Sequence, residues 1–283
     1  MNRADAWPAP AKLNLMLRVV GRRPDGYHLL QTVFQFIDLC DELYLDVRAD
    51  GKVRRENELR GLESDDDLVV KAARLLQQTT ACRLGVDIHL EKRIPMGGGL
   101  GGGSSDAATT LLALNQLWGC GLGLDSLMQL GLQVGADVPI FIHGHAAWAE
   151  GVGEKLSDID PPEPIYLLLV PAIHVDTGKV FQDPELTRNS SRITIRDFLA
   201  GEHANDCLAV VRKRHPIVGQ VFDWLDERAG ARMTGTGACL FAAFASRDEA
   251  EALYRQRPAG VVGFVVQGTN RSPLLDVVSQ ARN

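Results

Sequence analysis

The 283-residue sequence predicts an α+β fold in two domains, and three observations carry that expectation. Strand-like and helix-like segments mix without the regular β-α beat of a doubly wound sheet. A shift in composition at Asp158-Ile-Asp-Pro-Pro-Glu-Pro164 places a boundary between residues 1–157 and 158–283. Six glycines fill seven positions from Gly97 to Gly103, directly between a strand pattern and a helix pattern.

The elements follow in chain order. Ala11–Val20 and Gln31–Asp38 read as strands around Gly21-Arg-Arg-Pro-Asp-Gly-Tyr-His28, whose Pro-Asp-Gly has turn chemistry. Glu42–Arg48 reads as a third strand. Asp65-Asp-Asp67 precedes a helical run from Leu68 to Leu76, with acids where the helix dipole favours them. From Leu84 to Ile94, Val86, Ile88 and Leu90 alternate with polar residues, the period of a half-buried strand. Ala107, Ala108, Leu111, Leu112, Leu114 and Leu117 then recur at helical spacing, and Ser104, Ser105 and Asp106 are expected to cap that helix. A further helix is expected near 126–134. Beyond the boundary, Ile165–Val170 is a continuous apolar strand, helices are expected at 205–214, 216–229 and 247–256, and Gly263–Val266 is the last strand.

Composition narrows the function classes. The hydrophobic share of 45% and charged share of 23% are ordinary globular values. A formal net charge of −6 speaks against nucleic acid as the partner, and the Arg212-Lys-Arg214 run reads as a solvated helix face. Cys40, Cys82, Cys120, Cys207 and Cys239 are scattered without a C-x-x-C pair, which suggests neither disulfides nor zinc. Met1-Asn-Arg-Ala-Asp-Ala-Trp-Pro8 has no apolar core of signal-peptide length, and no stretch has the apolar length of a membrane span. A cytoplasmic protein without a membrane partner is expected.

The glycine run carries the chemistry. Without a Cβ, consecutive amides can converge on phosphate oxygens, and the following helix adds the positive end of its dipole. Walker A needs a Lys before the Ser, and none is present. Gly97, Gly99 and Gly102 satisfy G-x-G-x-x-G, yet a dinucleotide unit then needs a second strand ending in an acid. The glycine-broken Trp118–Asp125 does not supply one. A phosphate cradle of another kind is left. Bulk added at Gly101 is expected to project into the anion site.

Two charged residues sit in apolar surroundings. Lys12 lies in a strand of mostly apolar residues, so it is either at a solvated edge or facing a partner charge. Asp137, inside Gly135-Ala-Asp-Val-Pro139, is either a turn or cap residue or an acid with a task. Thr234-Gly-Thr-Gly-Ala238 is a second glycine turn that could close with the first around one triphosphate. Tyr27-His28 offers an aromatic plane and a hydrogen-bonding ring.

Pro95-Met-Gly-Gly-Gly-Leu-Gly-Gly-Gly-Ser-Ser-Asp106 resembles the phosphate-binding motif of the galactokinase, homoserine kinase, mevalonate kinase and phosphomevalonate kinase superfamily. Ala9-Pro-Ala-Lys-Leu-Asn-Leu15, Arg23-Pro-Asp-Gly-Tyr-His28, Gly135-Ala-Asp-Val-Pro139, Thr234-Gly-Thr-Gly-Ala238 and Asn270-Arg-Ser-Pro273 narrow the resemblance to a branch that phosphorylates a cytidylated sugar alcohol of non-mevalonate isoprenoid synthesis. The resemblance implies an N-terminal ATP-binding domain of ribosomal S5 domain 2-like character and a C-terminal ferredoxin-like domain, with the active site between them. It implies Lys12 and Asp137 as the catalytic pair. Pro95, Met96, Gly97, Gly98, Gly99, Leu100, Gly101, Gly102, Gly103, Ser104, Ser105, Gly235, Thr236 and Gly237 would hold ATP, with Lys92 near the adenine. Tyr27 and Phe181 would sandwich the cytosine and His28 would bond its edge, with Asn14 and Thr177 beside the alcohol. Asp67 stands where the family often has Asn, and a carboxylate lacks the amide's donor. ATP as co-substrate with Mg2+, a small-molecule partner, and a monomer or weak homodimer are implied. A kinase for another alcohol, a non-catalytic nucleotide-binding module and a dinucleotide oxidoreductase are the competing readings. The aromatic set and the Lys12–Asp137 pairing discriminate among them.

Overall fold

The computed structural model describes residues 6–57 and 67–280. β1 (Trp7–Arg22) pairs antiparallel along its whole length with the His28–Leu43 stretch of β2 (His28–Arg48). The turn between them is set by Gly26 at φ +93° and by Tyr27 N donating to Asp25 Oδ1 at 3.2 Å. Then follow β3 (Val53–Arg55), α1 (Leu68–Thr80), β4 (Gly85–Glu91), α2 (Gly102–Leu117), α3 (Leu124–Val134), α4 (Val138–His143), β5 (Ala147–Gly151) and β6 (Lys155–Asp158). The rest of the chain forms β7 (Ile165–Val170), α5 (Thr177–Gln182), α6 (Ile195–Leu199), α7 (Leu208–Arg214), α8 (Pro216–Ala229), β8 (Arg232–Met233), β9 (Leu240–Phe244), α9 (Arg247–Tyr254), β10 (Val262–Thr269) and α10 (Leu274–Gln280). The α+β expectation holds.

One mixed sheet runs through the molecule in the order β3-β4-β2-β10-β7-β9-β8, with β1 and β5 beside β2 and β6 beside β5. β2 is its hub, because its partners change along its length. Leu30–Phe34 meets β5, Phe36 and Ile37 meet β10, and Glu42–Arg48 meets β4. The sequence reading gave two strands here, split at Leu39-Cys-Asp41. The half-buried residues there mark only a change of partner, which alternation cannot tell from a break.

Three cores hold the layers. Phe34, Phe36 and Leu43 pack with Leu76, Leu111 and Phe141 from the helices of the first half. Leu167, Leu169 and Leu240 pack with Val211, Val218 and Leu225 of the second. Between them Leu13, Leu15 and Ile37 meet Tyr166, Leu168 and Phe241. β7 is thus buried on both faces, the physical reason that Ile165–Val170 is apolar without alternation. α10 returns Leu274 and Val278 to the core of the first half.

Short elements escaped the sequence reading: β3, β5, β6, β8, α4, α5, α6 and α10, most of them too short to display a period. The helix expected at 205–214 begins at Leu208, and that at 247–256 ends at Tyr254. Asp65 and Asp66 lie outside the described residues. Among those described, no helix is long and apolar enough to cross a membrane. All five cysteines are free.

Candidate active site

β1 does not run straight past the glycine loop. Its register against β2 shifts between Pro10 and Lys12 and again between Asn14 and Met16. Such bulges bend a strand and re-aim its side chains. Here they frame Lys12 and Asn14, two residues apart and therefore on one face. Lys12 N leaves the ladder and donates to Leu100 O at 3.0 Å, tying the strand to the glycine loop.

The Lys12 side chain is only 3% exposed. Its Nζ donates to Asn14 Oδ1 at 2.5 Å and to Gly99 O at 3.0 Å, and lies 5.4 Å from the centre of the Phe34 ring. Its counter-charge is Asp137 Oδ2 at 3.2 Å, on a carboxylate 39% exposed. Of the two readings left open for each residue, Lys12 faces a partner charge, and Asp137 occupies the N-cap position of α4 without making a cap hydrogen bond. Asn14 is held by Thr32 Oγ1, which accepts from its Nδ2 at 2.9 Å, and by Thr234 Oγ1, which accepts from its backbone N at 2.9 Å.

The two glycine turns meet. Cys239 N donates to Gly98 O at 3.1 Å, and Thr234 Oγ1 donates to Gly99 O at 3.2 Å. A Cβ on Gly99 would lie 2.4 Å from Thr234 O, and one on Gly98 would lie 2.3 Å from Cys239 Sγ. Glycine at these positions therefore also permits close packing of one loop on the other. α2 starts earlier than the sequence suggested. Its first residue is Gly102 and its N-cap is Gly101 at φ +75°, with no side-chain cap. Ser104, Ser105 and Asp106 are helical residues, not caps. The uncapped start leaves amide donors for an anion.

A cleft of about 1010 Å³ gathers most of the expected residues. Lys12, Asn14, Tyr27, His28, Lys92, Pro95 to Ser104, Asp137, Thr177, Phe181, Gly235 and Thr236 all line it. Ser105 and Gly237 do not. Ser105 is buried in α2, and the position a Cβ would take on Gly237 lies 3.0 Å from Met233 Sδ, away from the cleft. One wall can be followed residue by residue. A Cβ on Gly102 would lie 3.2 Å from Lys92 Nζ, one on Gly101 would lie 3.0 Å from Lys12 Cε, and one on Gly235 would lie 3.3 Å from Asn14 Oδ1. Thr236 and Thr177 share a 2.8 Å hydroxyl hydrogen bond, and α5 then carries the wall to Phe181. There His28 stacks on Phe181, centroids 5.0 Å apart, while Tyr27 stands 63% exposed on its turn.

At the other end Lys92 pairs with Asp41 and, at 2.7 Å, with Asp106. Asp41 is fully buried and also accepts from Arg93 N at 2.5 Å and Ile94 N at 2.8 Å. Burial pushes the Asp106 carboxyl up to about 8, against the pull of Lys92 and with the push of Asp41. Burial opposes the Lys92 charge, but the two carboxylates prevail and hold it above its ordinary value. Asp67 caps α1, accepting from Val69 N at 3.0 Å, and pairs with Arg55 at 2.5 Å. Sequence reasoning missed Asp41 and Asp106. Their signal was an acid in a buried strand and an acid on the buried face of an apolar helix.

Fold and site together define a small-molecule kinase: a glycine cradle for phosphate, and beside it a buried lysine paired with a carboxylate. Residues 67–145 match the N-terminal domain of the GHMP kinases and residues 185–261 their C-terminal domain. The 4-diphosphocytidyl-2-C-methyl-D-erythritol kinase of Shewanella halifaxensis is 54% identical over 270 residues, 95% of each chain. That of Nitrosococcus oceani is 54% identical over 274 residues, 97% of this chain and 98% of its own. A crystal structure of 4-(cytidine 5'-diphospho)-2C-methyl-D-erythritol kinase superposes with a TM-score of 0.79 at 31% identity, covering 94% of this chain and 99% of the other. A mevalonate kinase shares the fold at a TM-score of 0.66 and 15% identity, over 95% of this chain and 100% of its own. The chain belongs to the GHMP kinases and, within them, to the 4-diphosphocytidyl-2-C-methyl-D-erythritol kinase family.

The structure corrects the expectation for Gly101. A Cβ there would lie 2.7 Å from Phe141 Cζ and 3.0 Å from Lys12 Cε, so bulk strikes the core and the lysine before it reaches an anion. Gly101→Ala is expected to lower thermal stability and turnover together. Gly103→Ala, whose Cβ would sit an ordinary 3.5 Å from Leu68 Cδ1, should keep or gain stability, by roughly 0.5–1 kcal/mol for Gly to Ala in a helix. Melting curves beside turnover of both variants check the contrast.

Asp106 makes a second test. A carboxyl whose folded pKa is raised contributes most below its unfolded value, near 3.8, and loses that contribution as pH climbs towards about 8. Asp106→Asn keeps an acceptor for Lys92 and removes the titration. Its melting temperature relative to wild type should rise between pH 5 and pH 8, by on the order of a few degrees. Parallel curves at both pH values would count against the buried neutral carboxyl.

Proposed function

We propose that the Lys12–Asp137 pair transfers the γ-phosphoryl group of ATP to the 2-hydroxyl of 4-diphosphocytidyl-2-C-methyl-D-erythritol. The products are the 2-phosphate and ADP, in the non-mevalonate route to isopentenyl diphosphate. The observation that carries this reading is the 3.2 Å Lys12–Asp137 ion pair, set between the glycine cradle and the half of the cleft that holds His28 and Phe181. We divide the chain into an ATP-binding domain of residues 1–157 and a domain of residues 158–283 that completes the cleft.

Asp137 is the accessible partner of the pair, so it takes the proton from the attacking hydroxyl. Lys12 pairs with that carboxylate and, bonded to Gly99 O, brings positive charge to the loop that would hold the phosphates. Its bonds to Asn14, Gly99 and Asp137 fix its position before substrate arrives, so reorganisation during transfer is small. Asn14 and Thr177 border the alcohol, while Tyr27, His28 and Phe181 receive the base. Lys92 lies at the adenine end.

The donor set fits magnesium carried by the nucleotide. Among the described residues no group of three His, Cys, Asp or Glu could hold a metal alone, and Mg2+ commonly takes few protein ligands beside phosphate oxygens. The Ser104 hydroxyl in the first turn of α2, 3.7 Å from where a Cβ on Gly135 would sit, is a donor close to the Asp137 segment. Bound there, the ion would neutralise charge on the transferring phosphoryl group.

The direct test is incubation with ATP and the cytidylated alcohol, watching for ADP and a 2-phosphorylated product, with free methylerythritol phosphate as control. Asp137→Asn should fold and bind substrate but lose on the order of 10²–10⁴ in kcat, the range for a positioned general base. Lys12→Met should be comparably inactive. A rise confined to the KM for ATP would make Lys12 a ground-state binder.

Tyr27 tests the base end with little structural cost, because its ring is largely exposed. Stacking on one aromatic ring is worth about 1–3 kcal/mol, so Tyr27→Ala should raise the KM for the cytidylated substrate roughly ten- to a hundredfold. Its melting temperature and ATP KM should hold. Impaired ATP affinity with normal use of the cytidylated alcohol would place Tyr27 in the nucleotide pocket instead.

A further inference from the structure

Behind His28, outside the cleft lining, lies Arg188. Its Nε donates to His28 Nε2 at 3.1 Å. One terminal nitrogen donates to Leu186 O at 3.1 Å, and the other donates to Phe181 O at 2.8 Å and Asp183 O at 2.7 Å. One planar group thus grips both members of the His28–Phe181 stack, the ring of one and the backbone of the other. The Asp183 carboxylate beside it is turned to Arg214, and among the described residues Arg188 hydrogen-bonds carbonyls and an imidazole and has no carboxylate partner.

We propose that Arg188 is a positioning residue that fixes His28 as the Nδ1–H tautomer and so makes it a hydrogen-bond donor to the acceptor edge of a pyrimidine base. The inference rests on the reading of this end of the cleft as the base site. Arginine does not give up its proton in proteins, so the nitrogen that accepts from it must be unprotonated. In a neutral imidazole the proton then resides on the other nitrogen. The charged groups around the ring act in the same direction. Burial, then Arg188, then Arg22 at the end of β1 all hold His28 below its ordinary value. The acid of the adjoining turn, Asp25, is paired with Arg23 at 2.7 Å. A cytosine ring offers a carbonyl oxygen and a ring nitrogen as adjacent acceptors. A neutral donor of fixed tautomer can read such an edge, and the flat Phe181 ring cannot.

Nitrogen-15 NMR of the histidines in the whole protein, with His28→Gln to assign the signal, tests the tautomer without turnover. The expected result is a His28 ring protonated on Nδ1 that stays neutral to a pH below the ordinary histidine value. A proton on Nε2, or titration at the ordinary histidine value, would overturn the proposal. Arg188→Gln should let His28 titrate upward and raise the KM for the cytidylated substrate about tenfold, the size of one lost hydrogen bond, with kcat and the ATP KM little changed. The variant His28→Ala with Arg188→Gln should be no worse than His28→Ala alone, whereas additive losses would make Arg188 a fold residue only. Should Arg188→Gln fail to fold, the wild-type tautomer still decides. Were the protein not to use cytidylated alcohols at all, the spectrum would be unaffected, which keeps the two readings separable.

Discussion

An ammonium group withdrawn from water must find its hydrogen bonds and its counter-charge in the protein, and Lys12 finds them in its own strand and in two distant segments. Asn14 is its neighbour on β1, Gly99 O comes from the glycine loop, and Asp137 comes from the start of α4. Removing any one leaves a buried charge short of a partner. The requirement therefore fastens strand, loop and helix into one geometry. Among the described strands β1 pairs with β2 alone, so on its free side the Lys12 N–H can reach Leu100 O, and the bulges that flank Lys12 and Asn14 bend the strand there.

The glycines serve that same assembly. A run of them is readily understood as a phosphate cradle, but their neighbours show a second constraint. Gly98 and Gly99 lie against Cys239 and Thr234, and Gly101 lies against Phe141 and Lys12. The loop is small partly because two other elements occupy the space where side chains would be. Cradle and scaffold are consequently hard to separate by mutation at Gly99 or Gly101, and Gly103 at the open first turn of α2 is where they come apart.

Much of this was legible in the sequence where local pattern and chemistry coincide. Val86, Ile88 and Leu90 declared β4, the apolar run of Ile165–Val170 declared a strand buried on both faces, and Lys12 and Asp137 stood out as charges in apolar settings. Their meeting was inferred from family resemblance, since nothing local encodes a contact between β1 and the start of α4. What escaped has a common cause. β2 meets three successive partners without changing period, α4 and α5 are too short to show one, and α2 begins on glycines, which carry no helix signal. Asp41 and Asp106 stand as acids in apolar settings too, but their role is explained only by a partner, Lys92, that lies in another part of the chain.

The charges along the cleft are not evenly balanced, and the imbalance has a direction. At the Lys92 end two acids surround one lysine, and burial keeps a proton on Asp106 near neutral pH, so that end is close to neutral. In the centre Lys12 is matched by Asp137. Among the described residues Arg22 and Arg188 have no carboxylate partner, and both lie at the His28 end. On the proposed reading the glycine loop holds phosphate through amide dipoles and the α2 terminus more than through excess cation. Uncompensated positive charge is concentrated where an anionic, base-bearing alcohol would enter. Burial, Arg188 and Arg22 all lower the His28 pKa, and on the proposed base site the same two arginines would supply a field that draws such a substrate in. Base recognition and electrostatic attraction would then arise from one cluster, and a bare sugar alcohol would engage neither.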